Sequence, residues 1–181
     1  MQIMENRRPY RDEVIISWSE LQRDARFIAS QLIKLQSWKG IIAITKGGLI
    51  PAALIARELN IKLIDTVCVG SYHSEAAGKV DQHQEDIQVF KMVEGDGENF
   101  LLIDDLVDTG KTAEFIRKKL PKAYFCTLYA KPQGKHLVDT YVREFKQNQW
   151  IFFPWDIEYQ FSIPVHHRIK LNSSDNPVAE N

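Results

Sequence analysis

The stretch Leu101–Thr112 constrains the fold of this chain more than any other. An apolar run, Leu101-Leu102-Ile103, passes straight into paired acids, Asp104-Asp105. Leu106-Val107-Asp108-Thr109-Gly110-Lys111-Thr112 then leads into a helical pattern. Carboxylates at the end of a buried strand, followed by a short loop and a helix, are placed at the carboxyl edge of a parallel α/β sheet. That edge is where such sheets bind ligands. The N–H groups of the loop and the helix N-terminus face the same crevice and suit a phosphate. Thr109 and Thr112 can add hydroxyl donors. Acids beside a phosphate cradle repel it unless a hard cation with oxygen ligands, such as Mg²⁺, sits between them. Gly110-Lys111-Thr112 is not the end of a nucleotide-binding P-loop, because that motif needs glycine five positions earlier, where Asp105 stands. A purely capping role would explain one acid and leave the others of Asp104, Asp105 and Asp108 without a purpose.

The rest of the chain agrees with an alternating α/β order. Ser17 and Glu20 have capping-box spacing, and Trp18, Leu21, Ala25, Ile28 and Leu32 recur at steps of three and four, as one face of a helix. Ile41–Ile44 reads as a short buried strand, Pro51–Glu58 as a helix opened by proline and ending before Asn60, and Leu63–Val69 as a second buried strand. Ser71–Asp86 has no apolar periodicity and is expected to be a long mobile loop of the kind that closes over active sites. Ile87–Met92 is expected to be a strand beyond it. Lys111–Leu120 reads as a helix and Tyr124–Tyr129 as another strand. Strand and helix in alternation predict a mostly parallel, twisted sheet flanked by helices. After Lys131-Pro132 the pattern becomes irregular, around the aromatic cluster Trp150–Trp155. Residues 1–13 read as a polar extension and residues 171–181 as a polar tail, within one domain spanning 1–181.

Charge narrows the function classes. With 23 Lys+Arg against 24 Asp+Glu, the chain lacks the basic excess of a nucleic-acid or anionic-membrane binder. Its longest apolar runs fall far short of the roughly 20 residues that span a bilayer, and Met1–Glu13 does not resemble a secretion signal. Cys68 and Cys126 lie in strand-like runs and are expected to be buried free thiols in a reducing, cytoplasmic compartment. No histidine has a partner at trusted metal-ligand spacing.

Ile103–Thr112 resembles the phosphoribosyl-pyrophosphate (PRPP) motif of type I phosphoribosyltransferases. Further segments are similar to the branch of that family that acts on guanine and xanthine: Trp38–Ala43, Gly47-Gly48-Leu49, Ala56–Leu59, Asp65–Cys68, Glu94–Glu98, Ala130-Lys131-Pro132 and Pro154-Trp155-Asp156. The likeness runs from about Val14 to Pro164. It implies the family's fold, with a flexible lid and a small C-terminal hood. It also implies Mg²⁺-dependent transfer of phosphoribose from PRPP to guanine or xanthine, more weakly to hypoxanthine, in a homotetramer. Peripheral association with the cytoplasmic face of the inner membrane is a further property of that branch.

The resemblance assigns Asp104 and Asp105 to the ribose hydroxyls and the cation, with Asp105 as the metal contact. Asp108, Thr109, Gly110, Lys111 and Thr112, with Leu106 and Val107 before them, would cradle the 5′-phosphate, and Asp108 would also face purine N7. Lys46-Gly47 would form the pyrophosphate loop. Lys131 would bond purine O6, Trp150 would stack on the ring, Ile151 would contact the 2-substituent through its backbone, and Asp156 would lie at the purine end.

Some positions depart from the family pattern. Lys46 stands where relatives carry arginine, and Lys111 where they carry glycine. The lid is longer, with Glu85 about where an arginine is expected and Lys79 as a substitute cation. Two rivals differ in class. One is a metabolite-sensing regulator that kept the PRPP fold without transferase activity, and the charge balance speaks against it. The other is a phosphorelay receiver domain, whose acidic pair belongs near the N-terminus.

Overall fold

A computed structural model of the chain describes residues 12–71 and 87–156. Eight strands and three α-helices follow in the order β1 (Asp12–Ile15), α1 (Trp18–Leu32), β2 (Gly40–Thr45), α2 (Leu49–Leu59), β3 (Ile64–Ser71), β4 (Ile87–Lys91), β5 (Phe100–Val107), α3 (Lys111–Lys119), β6 (Tyr124–Ala130), β7 (Thr140–Glu144) and β8 (Gln149–Phe152). The main sheet has six strands in the order β4-β3-β2-β5-β6-β7. All its pairings are parallel except β3–β4. The acid-bearing strand β5 is therefore central, and Leu101, Leu102 and Ile103 are fully buried in it. A strand covered on both faces reads as an unbroken apolar run, which is why this segment shows no alternation.

The helices divide between the two faces. Leu21, Ala25, Ile28 and Leu32 of α1, with Ala52 and Ile55 of α2, pack on Ile41, Leu101 and Ile103. Ala113 and Ile116 of α3 pack on Ile42, Leu102 and Phe125. Alternate β5 residues thus feed two separate cores. The capping box of α1 forms in both directions: the Glu20 N–H donates to Ser17 Oγ (3.2 Å), and the Ser17 N–H donates to Glu20 Oε2 (3.0 Å). Helix α2 begins at Leu49, ahead of Pro51, so proline occupies the first turn, where its missing donor costs nothing. It ends on Asn60 in the left-handed region (φ 53°). Asp24, buried in α1, accepts from Tyr129 Oη (3.0 Å) and pairs with Arg143 (3.1 Å), tying α1 to β6 and β7.

Several expectations are corrected. The strand that carries the acids continues through Leu106 and Val107, because Leu106 and Val107 still pair with Tyr129 and Ala130 of β6. The irregular region after Lys131 contains β7 and β8. Strand β8 pairs in parallel with β1, so residues 12–13 belong to a strand and the small second sheet draws on both ends of the chain. Ser71 closes β3, and the rest of the expected lid, with Lys79 and Glu85, lies outside the described residues, as does the tail. Both cysteines are free, but only Cys126 is fully buried. Among the described residues, no helix is long and apolar enough to cross a membrane.

Candidate active site

Three loops converge at the carboxyl edge of the central strands: Lys46–Gly48 after β2, Asp108–Gly110 after β5, and Lys131–Gly134 after β6. Neighbouring residues of a strand point to opposite faces, and Asp104 and Asp105 use this to serve two sides. Asp104 lines a cavity of about 130 Å³ together with Leu106–Ala113 and Phe125. Asp105 faces the other way, where its carboxylate lies against the bare α-carbon of Gly47. The Asp105 N–H donates to Asp104 Oδ1 (3.0 Å), which fixes the first carboxylate.

Gly47 leaves no room for a side chain, since an added Cβ would collide with all three atoms of the Asp105 carboxyl group. Gly47→Ala is therefore expected to lower kcat/KM by about 10²-fold, through displacement of Asp105, while thermal unfolding shows the fold retained. Steady-state kinetics on the folded variant check this. The peptide joining Thr45 to Lys46 is cis, and Lys46 is exposed at the mouth of the loop.

The acid pair carries charge that the protein alone does not compensate. Burial holds Asp104 well above the usual carboxylate range, and the neighbouring Asp105 charge adds to this. Burial pushes Asp105 up to about 6, with the charge of Asp156 acting in the same direction. The folded protein thus keeps protons that the unfolded chain has released, so ionising the pair costs stability as pH rises from about 4 through about 6. Measured without metal, the melting temperature of Asp105→Asn relative to wild type is expected to rise across that interval. A difference independent of pH would contradict the assignment.

The loop after β5 is built for an anion. Gly110 caps α3 in a left-handed conformation (φ 88°). An added Cβ there would meet Leu137 Cδ1 at 2.6 Å. Lys111 is the first residue of α3, and the positive φ belongs to Gly110, so the position after it tolerates a side chain. Thr109 and Thr112 line the cavity with Asp104 and Asp108, and the helix N-terminus adds its own partial positive charge.

Lys131 is no surface lysine: it is 1% exposed. Its Nζ donates to Asp108 Oδ2 at 2.8 Å, while Gln147 Nε2 donates to Asp108 Oδ1 at 2.7 Å. Trp150 is the second residue of β8, three residues after Gln147, with an exposed indole set edge-on to Phe152 (6.3 Å, 69°). Ile151 buries its side chain in the core, leaving only its backbone for a ligand. Asp156 is exposed and accepts from the Phe153 N–H (3.1 Å). Trp155, by contrast, stacks on Phe153 (4.7 Å, 5°) and belongs to the core.

Reading the sequence missed Gln147, which lies in the polar run Lys146-Gln147-Asn148 and looks like an ordinary turn residue. It also missed Gly134, where a Cβ would come within 2.8 Å of the Asp108 carbonyl oxygen. Among the described residues no cluster of three or more His, Cys, Asp or Glu side chains forms a metal cage, so a cation here would draw on the acid pair and on its ligand.

A mostly parallel sheet whose central strand presents two acids beside an anion-binding loop suits a phosphorylated sugar, and the family model for the phosphoribosyl transferase domain matches residues 17–162. The chain belongs to the phosphoribosyltransferase family. Within it, the chain is 52% identical over 157 residues to a xanthine-guanine phosphoribosyltransferase from Desulfotalea psychrophila, covering 86% of this chain and 94% of the relative. A protein of the same name from Chromohalobacter salexigens is 47% identical over 165 residues (91% and 97%). The fold is similar to that of a purine phosphoribosyltransferase from Pyrococcus horikoshii, with a TM-score of 0.64, 23% identity, and coverage of 84% and 99%. It is also similar to that of a Helicobacter pylori xanthine-guanine-hypoxanthine phosphoribosyltransferase (TM-score 0.64, 17% identity, 89% and 99%).

Proposed function

We propose that the chain is a purine-salvage phosphoribosyltransferase that joins guanine or xanthine, and more weakly hypoxanthine, to PRPP, giving the nucleoside 5′-monophosphate and pyrophosphate. The observation that carries this reading is the placement of a buried lysine–carboxylate pair, Lys131–Asp108, at the end of the same loop that forms the anion cradle. One end of that loop suits a 5′-phosphate and the other a 6-oxopurine.

Breaking the bond from ribose C1 to pyrophosphate develops positive charge on the sugar and negative charge on the leaving group. Asp104 and Asp105 stand on the sugar side and receive the ribose hydroxyls. The loop N–H groups and the α3 N-terminus hold the 5′-phosphate, so the sugar is fixed while its bond breaks. Lys46 and the Gly47 backbone face the leaving group, where lysine supplies a point charge without the fork of arginine. Lys131 donates to purine O6, Asp108 accepts the N7 proton that the free base gives up as N9 bonds to ribose C1, and the exposed face of Trp150 stacks on the ring. Adenine offers no O6 acceptor and sets the donors of its 6-amino group against Lys131, which disfavours it. The acid pair fits Mg²⁺, since its carboxylates are hard oxygen donors whose ionisation a cation would favour, and Asp105 would hold it. A cation held there would neutralise charge on the pyrophosphate oxygens.

We take residues 1–181 as one transferase domain, working in the cytoplasm as a homotetramer. The two free cysteines agree with that compartment, and exposed apolar side chains such as Phe27, Ile33 and Phe90 supply surface for subunit contacts. Nothing in the described residues favours membrane association or the regulator alternative. Initial rates with guanine, xanthine, hypoxanthine and adenine, each with and without Mg²⁺, test the reading. Turnover of the 6-oxopurines, dependent on Mg²⁺, is expected, and failure with all three would reject it.

A further inference from the structure

We infer that Gln147 is a positioning residue for the purine end of the site, holding Asp108 in place while Lys131 turns to the base. The inference rests on the function proposed above. Gln147 Oε1 accepts from the Gln133 N–H (3.1 Å), which leaves its Nε2 amide to donate to Asp108 Oδ1 (2.7 Å). That backbone donor settles the orientation of the amide, since reversing it would set N–H against N–H at Gln133 and oxygen against oxygen at Asp108. The link closes a ring through three loops: Asp108 to Lys131, along the turn to Gln133, across to Gln147, and back to Asp108.

The arrangement divides the work on one carboxylate. In the absence of a base, Asp108 spends one oxygen on each donor. When a 6-oxopurine arrives, Lys131 has to share its ammonium hydrogens with O6, and Asp108 loses part of its hold on that side. The amide of Gln147 cannot be drawn to the base, because its own oxygen is anchored to the backbone of Gln133. It therefore keeps the carboxylate directed at the base edge. Removing it should weaken capture of the purine and leave PRPP, bound through Asp104, Asp105 and the N–H groups of residues 109–112, unaffected.

Two variants test this together. Gln147→Leu removes both bonds. Gln147→Glu keeps the shape and the bond from Gln133, but sets a carboxylate against Asp108, which Lys131 already neutralises. In steady-state kinetics, both variants are expected to raise the purine KM about 10-fold near pH 8, the factor for losing one hydrogen bond to a charged group. The PRPP KM should stay within about twofold. For Gln147→Glu, the ratio of its purine KM to that of wild type should return toward one by about pH 5.5, as the glutamic acid gains a proton to donate in place of the amide. Purine KM values within twofold of wild type at every pH would overturn the inference, as would an equal rise in both KM values with a lowered melting temperature. A wild-type enzyme without purine turnover would overturn the function it rests on, and the two failures are told apart by assaying wild type first.

Discussion

Asp104→Asn combined with Asp105→Asn is expected to cut nucleotide formation by about 10³-fold or more, while the protein stays folded. The size follows from what is removed: the carboxylates proposed to face the ribose, in a site where buried electrostatics usually supply the largest catalytic share. The fold survives because neither side chain fills a core. The two acids interrupt the apolar run of β5 between Ile103 and Leu106, and neither belongs to the apolar clusters that hold the sheet to its helices. The variant should be more heat-stable than wild type in the absence of ligand and metal. Burial and mutual charge hold both carboxyls above their usual range, so neutral amides relieve a cost that the native site carries for function. Calorimetry and a radiolabelled product assay on the same preparation check both halves. Full turnover by the double variant would remove the proposed ribose and cation roles, and a collapse in melting temperature would mean that the acids are structural.

Lys131→Met is the second large effect. Methionine matches the lysine stem in length, so the buried channel stays filled, but the donor to Asp108 and to purine O6 is lost. Sites built around a buried hydrogen bond discriminate strongly, and turnover of 6-oxopurines is expected to fall by about 10²-fold or more in kcat/KM. PRPP binding should persist, as measured by equilibrium binding of the labelled sugar. Stability should fall modestly, by about 1–3 kcal/mol, because Asp108 loses its cation yet stays partly open to water (32% exposed) and keeps Gln147. If guanine turnover were undiminished, Lys131 would be a structural ion-pair partner and no more.

Much of this arrangement could be read from the letters. The central strand, its acids and the helix behind them announce themselves because a doubly buried strand is apolar throughout, and its interruption by Asp104-Asp105 has no structural motive. The capping box of α1 is equally local. What the letters conceal is whatever depends on distant partners. Strands β1 and β8 are four residues each and lie far apart in the sequence, so each becomes a strand only by pairing with the other. The burial of Lys131 shows only once the turn after β6 folds it under Asp108. Gln147 gives no signal at all, since its role is defined by two partners 14 and 39 residues away. The glycine at the anion loop is a subtler case. Lys111 stands where relatives carry glycine, and the backbone places the left-handed conformation one residue earlier, on Gly110.

The central claim is that one sheet edge handles the phosphate, the sugar and the base as a single ligand. A crystal structure of the protein with guanosine 5′-monophosphate tests it most directly. The phosphate should sit in the loop 108–112, the ribose hydroxyls should contact Asp104 and Asp105, and the base should lie against Trp150 with O6 toward Lys131. A nucleotide bound away from these residues, or bound with its phosphate and base interchanged, would contradict the account.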